Sequence, residues 1–201
     1  MKTLSGISQI LFNRFYSIFR TLPCIFCTLA IALSVSAQET DNAMLKYGLN
    51  FLKTPYVAHT LEVNEEEKLV VNFDEVDCTT FVEYVLALAL SPVKNGTIDN
   101  ADYARTLQSI RYRDGKINGY TSRLHYIADW VNNGVRHGFM EDVTAANSPD
   151  TVRLSLNFMS THPKAYKHLE SSPENISKIE EIEKSLSGQL FHYIRLLYTS
   201  D

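Results

Sequence analysis

The sequence predicts an α+β domain. Apolar residues recur at helical spacing through the first two thirds of the chain, a strand-like alternation comes only late, and the composition is that of a globular protein. Of 201 residues, 45% are hydrophobic and 21% charged, which excludes a disordered tail, a collagen-like fibre or a coiled coil. The net charge of −4 offers no basic footprint, so no nucleic-acid partner is expected. With no internal repeat, low-complexity tract or linker in view, a single domain is expected after the leader.

The leader comes first. From Met1 to Ala37 the only charges are Lys2, Arg14 and Arg20, the stretch Leu22 to Val35 is apolar or small, and Val35-Ser36-Ala37 supplies small residues for a peptidase. That order reads as a signal peptide over 1–37, removed on export to the periplasm, with the domain over 38–201. A permanent anchor is the competing reading, but Arg14 and Arg20 break the run short of the ~20 residues a spanning helix needs. Cys24 follows Leu22-Pro23 and Cys27 follows Ile25-Phe26. Neither follows the small residue of a lipoprotein signal, so lipidation is not expected. Their C-x-x-C spacing falls in the apolar heart of the leader, where a redox or zinc reading has no support. Cys78 is then the one cysteine of the exported chain, without an intrachain disulfide partner.

Asp41 to Leu52 has helical spacing, with Met44, Leu45, Leu49 and Leu52 on one face, and Thr54-Pro55-Tyr56 ends it. Leu69 to Phe73 is a short strand or extended run. Asp77 to Leu90 is apolar on nearly all sides, as in a helix buried at the centre of a domain. Ser91-Pro92 closes it, and Asp99 caps a helix running to about Tyr112. Arg113 to Arg123 is a polar loop with two glycines. A helix over Leu124–Asn133 follows, with Ser122 as its cap and Gly134 just past its end. Thr151 to Phe158 alternates apolar and polar residues as a half-buried strand does, and Pro173 to Leu186 reads as a charged helix.

Cys78 is where chemistry concentrates. At the N-terminus of a buried helix, unpaired N–H groups and the helix dipole favour an anion, so a thiol there is biased toward thiolate. The same donors can hold an oxyanion when a thiolate attacks a carbonyl. Against this stands the plain alternative of a packed, inert cysteine. A nucleophile also needs a base, usually histidine. The chain offers His59, His125, His137, His162, His168 and His192, and spacing selects none. No His or Cys pair has metal-ligand spacing, no phosphate-binding glycine loop is present, and no cofactor is implied.

The segments Thr54-Pro-Tyr-Val-Ala-His-Thr-Leu-Glu62, Val70-Val-Asn-Phe-Asp-Glu-Val-Asp-Cys-Thr-Thr-Phe-Val-Glu83, Arg113 to Tyr126 and Leu156 to Pro163 resemble the N-acetylmuramoyl-L-alanine amidase-like family. That family lies within the NlpC-type papain-like cysteine hydrolases. The resemblance runs from about residue 43 to about 194. It implies a papain-like fold with Cys78 as the nucleophile at the start of the central helix. The implied reaction is metal-free hydrolysis of the amide between N-acetylmuramic acid and L-alanine in a muropeptide or other peptidoglycan fragment. It also implies that Tyr56, Asp77, Ser122, Arg123, His125 and Tyr126 line or support the substrate cleft. The family's catalytic histidine sits on a later strand in a His-Val-Gly-like pattern, which this sequence lacks. The expectation is therefore a chain in which the later sheet strands and the base are missing. Its alternative function is to bind muropeptides without cutting them. Nothing in the residues bears on oligomeric state.

Overall fold

In the computed structural model, residues 43–195 are described. The expected leader over 1–37, with Cys24 and Cys27, lies outside them. Helix α1 covers 43–49 and turns off at 50–53. The expected apolar face is not the one it buries. Leu45, Leu49 and Leu52 are exposed, whereas Met44, Tyr47, Gly48 and Phe51 face inward. Phe51 decides the rotation: its ring packs within 6.3 Å of the Phe73, Phe81 and Tyr84 rings, and aromatic burial outweighs that of leucines at a helix end.

Helix α2, Cys78–Leu90, starts where Asp77 closes a capping box: the Asp77 carboxylate accepts from the Thr80 N–H and the Thr80 hydroxyl accepts from the Asp77 N–H, each at 2.8 Å. Ser91, in extended conformation before Pro92, ends it. The hairpin β1 (Val93–Lys94) and β2 (Thr97–Ile98) turns on Asn95-Gly96, both at positive φ, the pairing a two-residue I′ turn selects. Asp99 then caps α3, Asn100–Arg111. The first core lies between α2 and α3: Val76, Tyr84, Ala87, Tyr103, Leu107 and Ile110. Inside it Glu83 and Arg111 form an ion pair at 2.7 Å with both side chains almost wholly buried. Burial pushes the Glu83 carboxyl up, with Arg111 opposing it. Leu69 to Phe73 forms no strand. Its backbone is held extended by side chains, with Val70 O accepting from Arg111, Lys68 O from the Tyr112 hydroxyl, and the Asn72 N–H donating to Tyr84.

The stretch from Arg113 to Arg123 is two 3₁₀ turns, Arg113–Gly115 and Tyr120–Ser122, tied down by a Tyr112–Arg123 bridge. Helix α4 runs Ile127–Arg136, three residues later than the expected helix over 124–133. Ser122 is not its cap: the Ser122 hydroxyl is spent inside its own turn, accepting from Asn118 N and donating to Gly119 O. Nor does Gly134 end the helix. It lies within α4, and Met140 packs so closely that a β-carbon there would stand 2.6 Å from the thioether.

After the short α5, Thr144–Asn147, strand β3 covers only Thr151–Arg153 and is exposed along its length. The expected half-buried strand to Phe158 stops early because Asn157 begins a short helix, α6 (Phe158–Thr161), which leaves Phe158 outside. Helix α7 is Lys167–Glu170. Helix α8 is Pro173–Leu186, capped by Ser172 as its Ser-Pro start suggests. Strand β4, Leu190–His192, pairs antiparallel with β3. A second core gathers Tyr120, Met159, Leu169 and Ile179. The fold is α+β, helix-dominated, with two small antiparallel sheets among the described residues. None of the described helices is long and apolar enough to cross a membrane.

Candidate active site

The first turn of α2 puts Cys78 at the surface while the rest of the helix enters the core. Its sulfur lies 4.0 Å from the Thr79 hydroxyl, a marginal contact that leaves the thiol open to solvent. The packed-cysteine reading predicted a buried thiol, and burial is what this residue lacks. One turn on, Val82 is exposed on the same helix face. Asp77 anchors the turn, and its carboxylate is committed to the Thr80 N–H and hydroxyl. Tyr56 is brought alongside by a parallel bridge to Val76, in which Val57 N donates to Val76 O and Val76 N to Pro55 O. Its ring is 72% exposed. Tyr56, Asp77 and Cys78 therefore share one edge of the molecule, with the exposed Phe73 and Val82 as apolar neighbours in sequence.

The remaining expected site residues have partners inside the fold. Arg123 is buried, donating to Glu62 at 2.8 Å and to both oxygens of Glu67 at 3.0 and 2.6 Å, with its guanidinium over the Tyr120 ring. Burial works against its charge, and the two carboxylates more than offset this, so its pKa rises. The Tyr112 hydroxyl adds a third donor to Glu67 at 2.7 Å. His125 precedes α4 rather than beginning it, and its Nε2–H donates to the Tyr120 carbonyl at 3.0 Å. Burial, then the Arg123 charge, pushes its imidazole down to about 3. The Tyr126 hydroxyl donates to Glu183 at 2.6 Å, and burial with that carboxylate pushes it up to about 12.

Four of the other five histidines are also engaged, while His59 is exposed and its side chain has no hydrogen-bond partner among the described residues. His168 stacks on Tyr120 and approaches Glu62 at 3.2 Å, His162 stacks on Phe158, His137 meets Asp114, and His192 meets the Ser148 carbonyl. No histidine among the described residues bonds the Cys78 sulfur. Sequence reasoning missed Glu67, Tyr112 and Glu183, which hold this machinery. Only their nonlocal partners give them meaning, and no spacing marks those.

A family model described as AmiA-like, N-acetylmuramoyl-L-alanine amidase-like, matches residues 46–197. No curated protein matches the chain. Among solved structures, an N-acetylmuramoyl-L-alanine amidase from Bacteroides uniformis is 62% identical, with a TM-score of 0.73 over 75% of this chain and 64% of its own. A Bacteroides fragilis structure with a provisional xylanase name is 60% identical, with a TM-score of 0.71 over 74% of this chain and 64% of its own. A Legionella pneumophila protein, LPG0564, is 18% identical with a TM-score of 0.56 over 81% of this chain and 59% of its own, a likeness of fold alone. The chain thus spans about 64% of the length of its Bacteroides relatives. A family match over most of the chain, joined to this identity, gives the assignment: the chain belongs to the AmiA-like, N-acetylmuramoyl-L-alanine amidase-like family.

Proposed function

We propose that the chain belongs to an exported, periplasmic cysteine amidase of peptidoglycan fragments, with Cys78 as the nucleophile of a papain-like, NlpC-type site. The observation that carries this reading is the exposed thiol on the first turn of a capped, core-entering helix. In the reaction the Cys78 sulfur adds to the lactyl carbonyl of N-acetylmuramoyl-L-alanine, and first-turn N–H groups face the oxyanion. The C–N bond then breaks, the L-alanyl amine leaves with a proton, and water hydrolyses the thioester to restore the thiol. Tyr56 flanks the substrate, and Asp77 fixes the turn that carries Cys78. Arg123, Ser122, His125 and Tyr126 shape the wall behind it.

One observation favours a second reading for these 201 residues, that they bind muropeptide without cleaving it. No histidine among the described residues bonds the Cys78 sulfur: His125, His137, His162, His168 and His192 are held by other partners, and the exposed His59 makes no side-chain hydrogen bond to it, so none stands in place to take the thiol proton or supply the amine's. Mass spectrometry of N-acetylmuramoyl-L-alanyl peptide digests, with xylo-oligosaccharide as the comparison substrate, separates the readings. Release of the L-alanyl peptide, abolished by Cys78→Ser, supports the amidase. Saturable binding without release, unchanged in Cys78→Ser, supports the second reading. Xylan cleavage, or neither binding nor release, overturns both.

A further inference from the structure

The sequence holds three Asn-Gly pairs, Asn95-Gly96, Asn118-Gly119 and Asn133-Gly134. Glycine after asparagine leaves the main-chain nitrogen unshielded by a β-carbon, so that nitrogen can reach the asparagine's own side-chain amide. The fold treats the three pairs differently. Asn133 lies inside α4 and is wholly buried, and its side-chain carbonyl accepts from the Asp114 N–H at 3.2 Å and from Arg136 at 3.1 Å. Asn118 is exposed but held. Its N–H donates to the Ser122 hydroxyl at 2.9 Å, and the Gly119 carbonyl accepts from the same hydroxyl at 2.7 Å and from the Ser122 N–H at 3.1 Å. Asn95 has neither protection. Every residue from Pro92 to Thr97 is exposed, and nothing stands within 4 Å of the place a Gly96 β-carbon would take. Each strand of its hairpin is two residues long, and so short a ladder opens at little cost.

We propose that Asn95 is a self-modification site, which converts to aspartate and isoaspartate with water as the only co-reactant. When the hairpin opens, base takes the Gly96 amide proton and the nitrogen adds to the Asn95 side-chain carbonyl carbon. The bond from that carbon to Nδ2 breaks, ammonia leaves with a proton from water, and a cyclic imide remains. Water then opens the ring. Cleavage at the side-chain carbonyl gives aspartate, and cleavage of the original peptide bond gives isoaspartate, whose chain runs on through the side chain. One water enters and one ammonia leaves, with no change of oxidation state. Either product sets a new carboxylate beside Lys94, whose Nζ is held by Asp102 at 2.8 Å. Isoaspartate also adds a backbone carbon to a turn built on two successive residues at positive φ, so β1 and β2 cannot re-pair in register. The site is independent of Cys78 and of the reaction proposed there.

Peptide mapping by mass spectrometry of the purified protein, aged in mildly alkaline buffer, tests this, with isoaspartyl methyltransferase marking the isomer. A parallel sample in urea gives each pair's rate in the unfolded chain. In the native protein Asn95 is expected to convert at least ~10-fold faster than Asn118, whose turn its hydrogen bonds hold closed, and Asn133 should keep its amide. In urea, where the fold no longer distinguishes them, the three should convert within about threefold of one another. Conversion of Asn95 should be slower in mildly acidic buffer, where less of the Gly96 nitrogen is deprotonated. Hydrogen exchange at Lys94 and Thr97 should quicken as the wild type ages but not in Asn95→Gln, whose longer side chain closes the ring far more slowly. A native Asn95 that does not convert, or converts no faster than Asn118 or Asn133, would overturn the proposal. So would a rate indifferent to pH, or an equal loss of protection in Asn95→Gln.

Discussion

The His125 imidazole, donating to the Tyr120 carbonyl and pressed by burial and Arg123 to a pKa of about 3, stays neutral where a free histidine would charge near 6.5. The unfolded chain takes up a proton between those values that the native one refuses, so the stabilisation is present above pH ~6.5 and is lost as pH falls toward 3. At about 1.4 kcal/mol per unit, lowering the pH from 7 to 4.5 costs up to ~3 kcal/mol through this residue. Urea unfolding of wild type and His125→Gln at both pH values checks it: the wild type should lose more stability on acidification, by up to that amount. A base so weak at neutral pH is also a poor acceptor for a thiol proton. Whatever turnover the chain has should therefore keep the same pH dependence in His125→Gln, which keeps a side chain in that wall, measured on the same muramoyl peptide. The resemblance picked out this residue but not its state, because its neighbours Tyr120, Arg123 and His168 meet it only in the folded chain.

Local chemistry sets the bounds of α2, α3 and α8 close to where the sequence puts them, whereas α4 begins and ends later than its local signals suggest, and tertiary packing moves what local chemistry leaves open. Asp99 accepts from the first-turn N–H groups expected of it, and the structure adds Asp77 and Ser172 in the same role at α2 and α8, helices legible from their apolar and charged runs. Asp77→Ala removes the carboxylate half of the box at α2, leaving the backbone N–H of residue 77 on the Thr80 hydroxyl, and should cost about 1–2 kcal/mol by urea denaturation, with Asp77→Asn largely sparing it. If Asp77→Ala also slows alkylation of Cys78 by iodoacetamide, the cap is what presents the thiol. Two apolar faces were available to α1, and only the aromatic cluster around Phe51 chose between them. The alternation from Thr151 to Phe158 looked like a strand because periodicity is blind to a cap at Asn157. The Asn95-Gly96 turn was written plainly, between residues too few and too polar to announce strands.

At the scale of the molecule, two cores are joined through polar side chains. Arg123 reaches back 56 and 61 residues to Glu67 and Glu62, Tyr112 meets the same Glu67, and within the second core Tyr126 reaches forward 57 residues to Glu183. These joints explain why so much of the candidate site escaped the sequence: each residue is unremarkable until its distant partner arrives. Arg123→Gln leaves Glu62 and Glu67 half-buried without a counter-charge, at a cost of about 3 kcal/mol or more, and frees the 62–68 segment. A glutamate-specific protease should then cut at Glu62 to Glu67 at least ~10-fold faster than in wild type, since cleavage follows local opening. Equal cutting would mean the segment is held by something other than Arg123.

The missing β-carbon of Gly134 bears on how this sequence can drift. A mid-helix alanine would ordinarily help by about 1 kcal/mol, but here it would collide with Met140. Part of that gain is spent on moving the flexible, half-buried Met140 side chain aside, so it should be larger in a Met140→Ala background. The two positions are thus coupled: the effect of changing one depends on the side chain at the other. Glycine at 134 and methionine at 140 should be inherited together or replaced together.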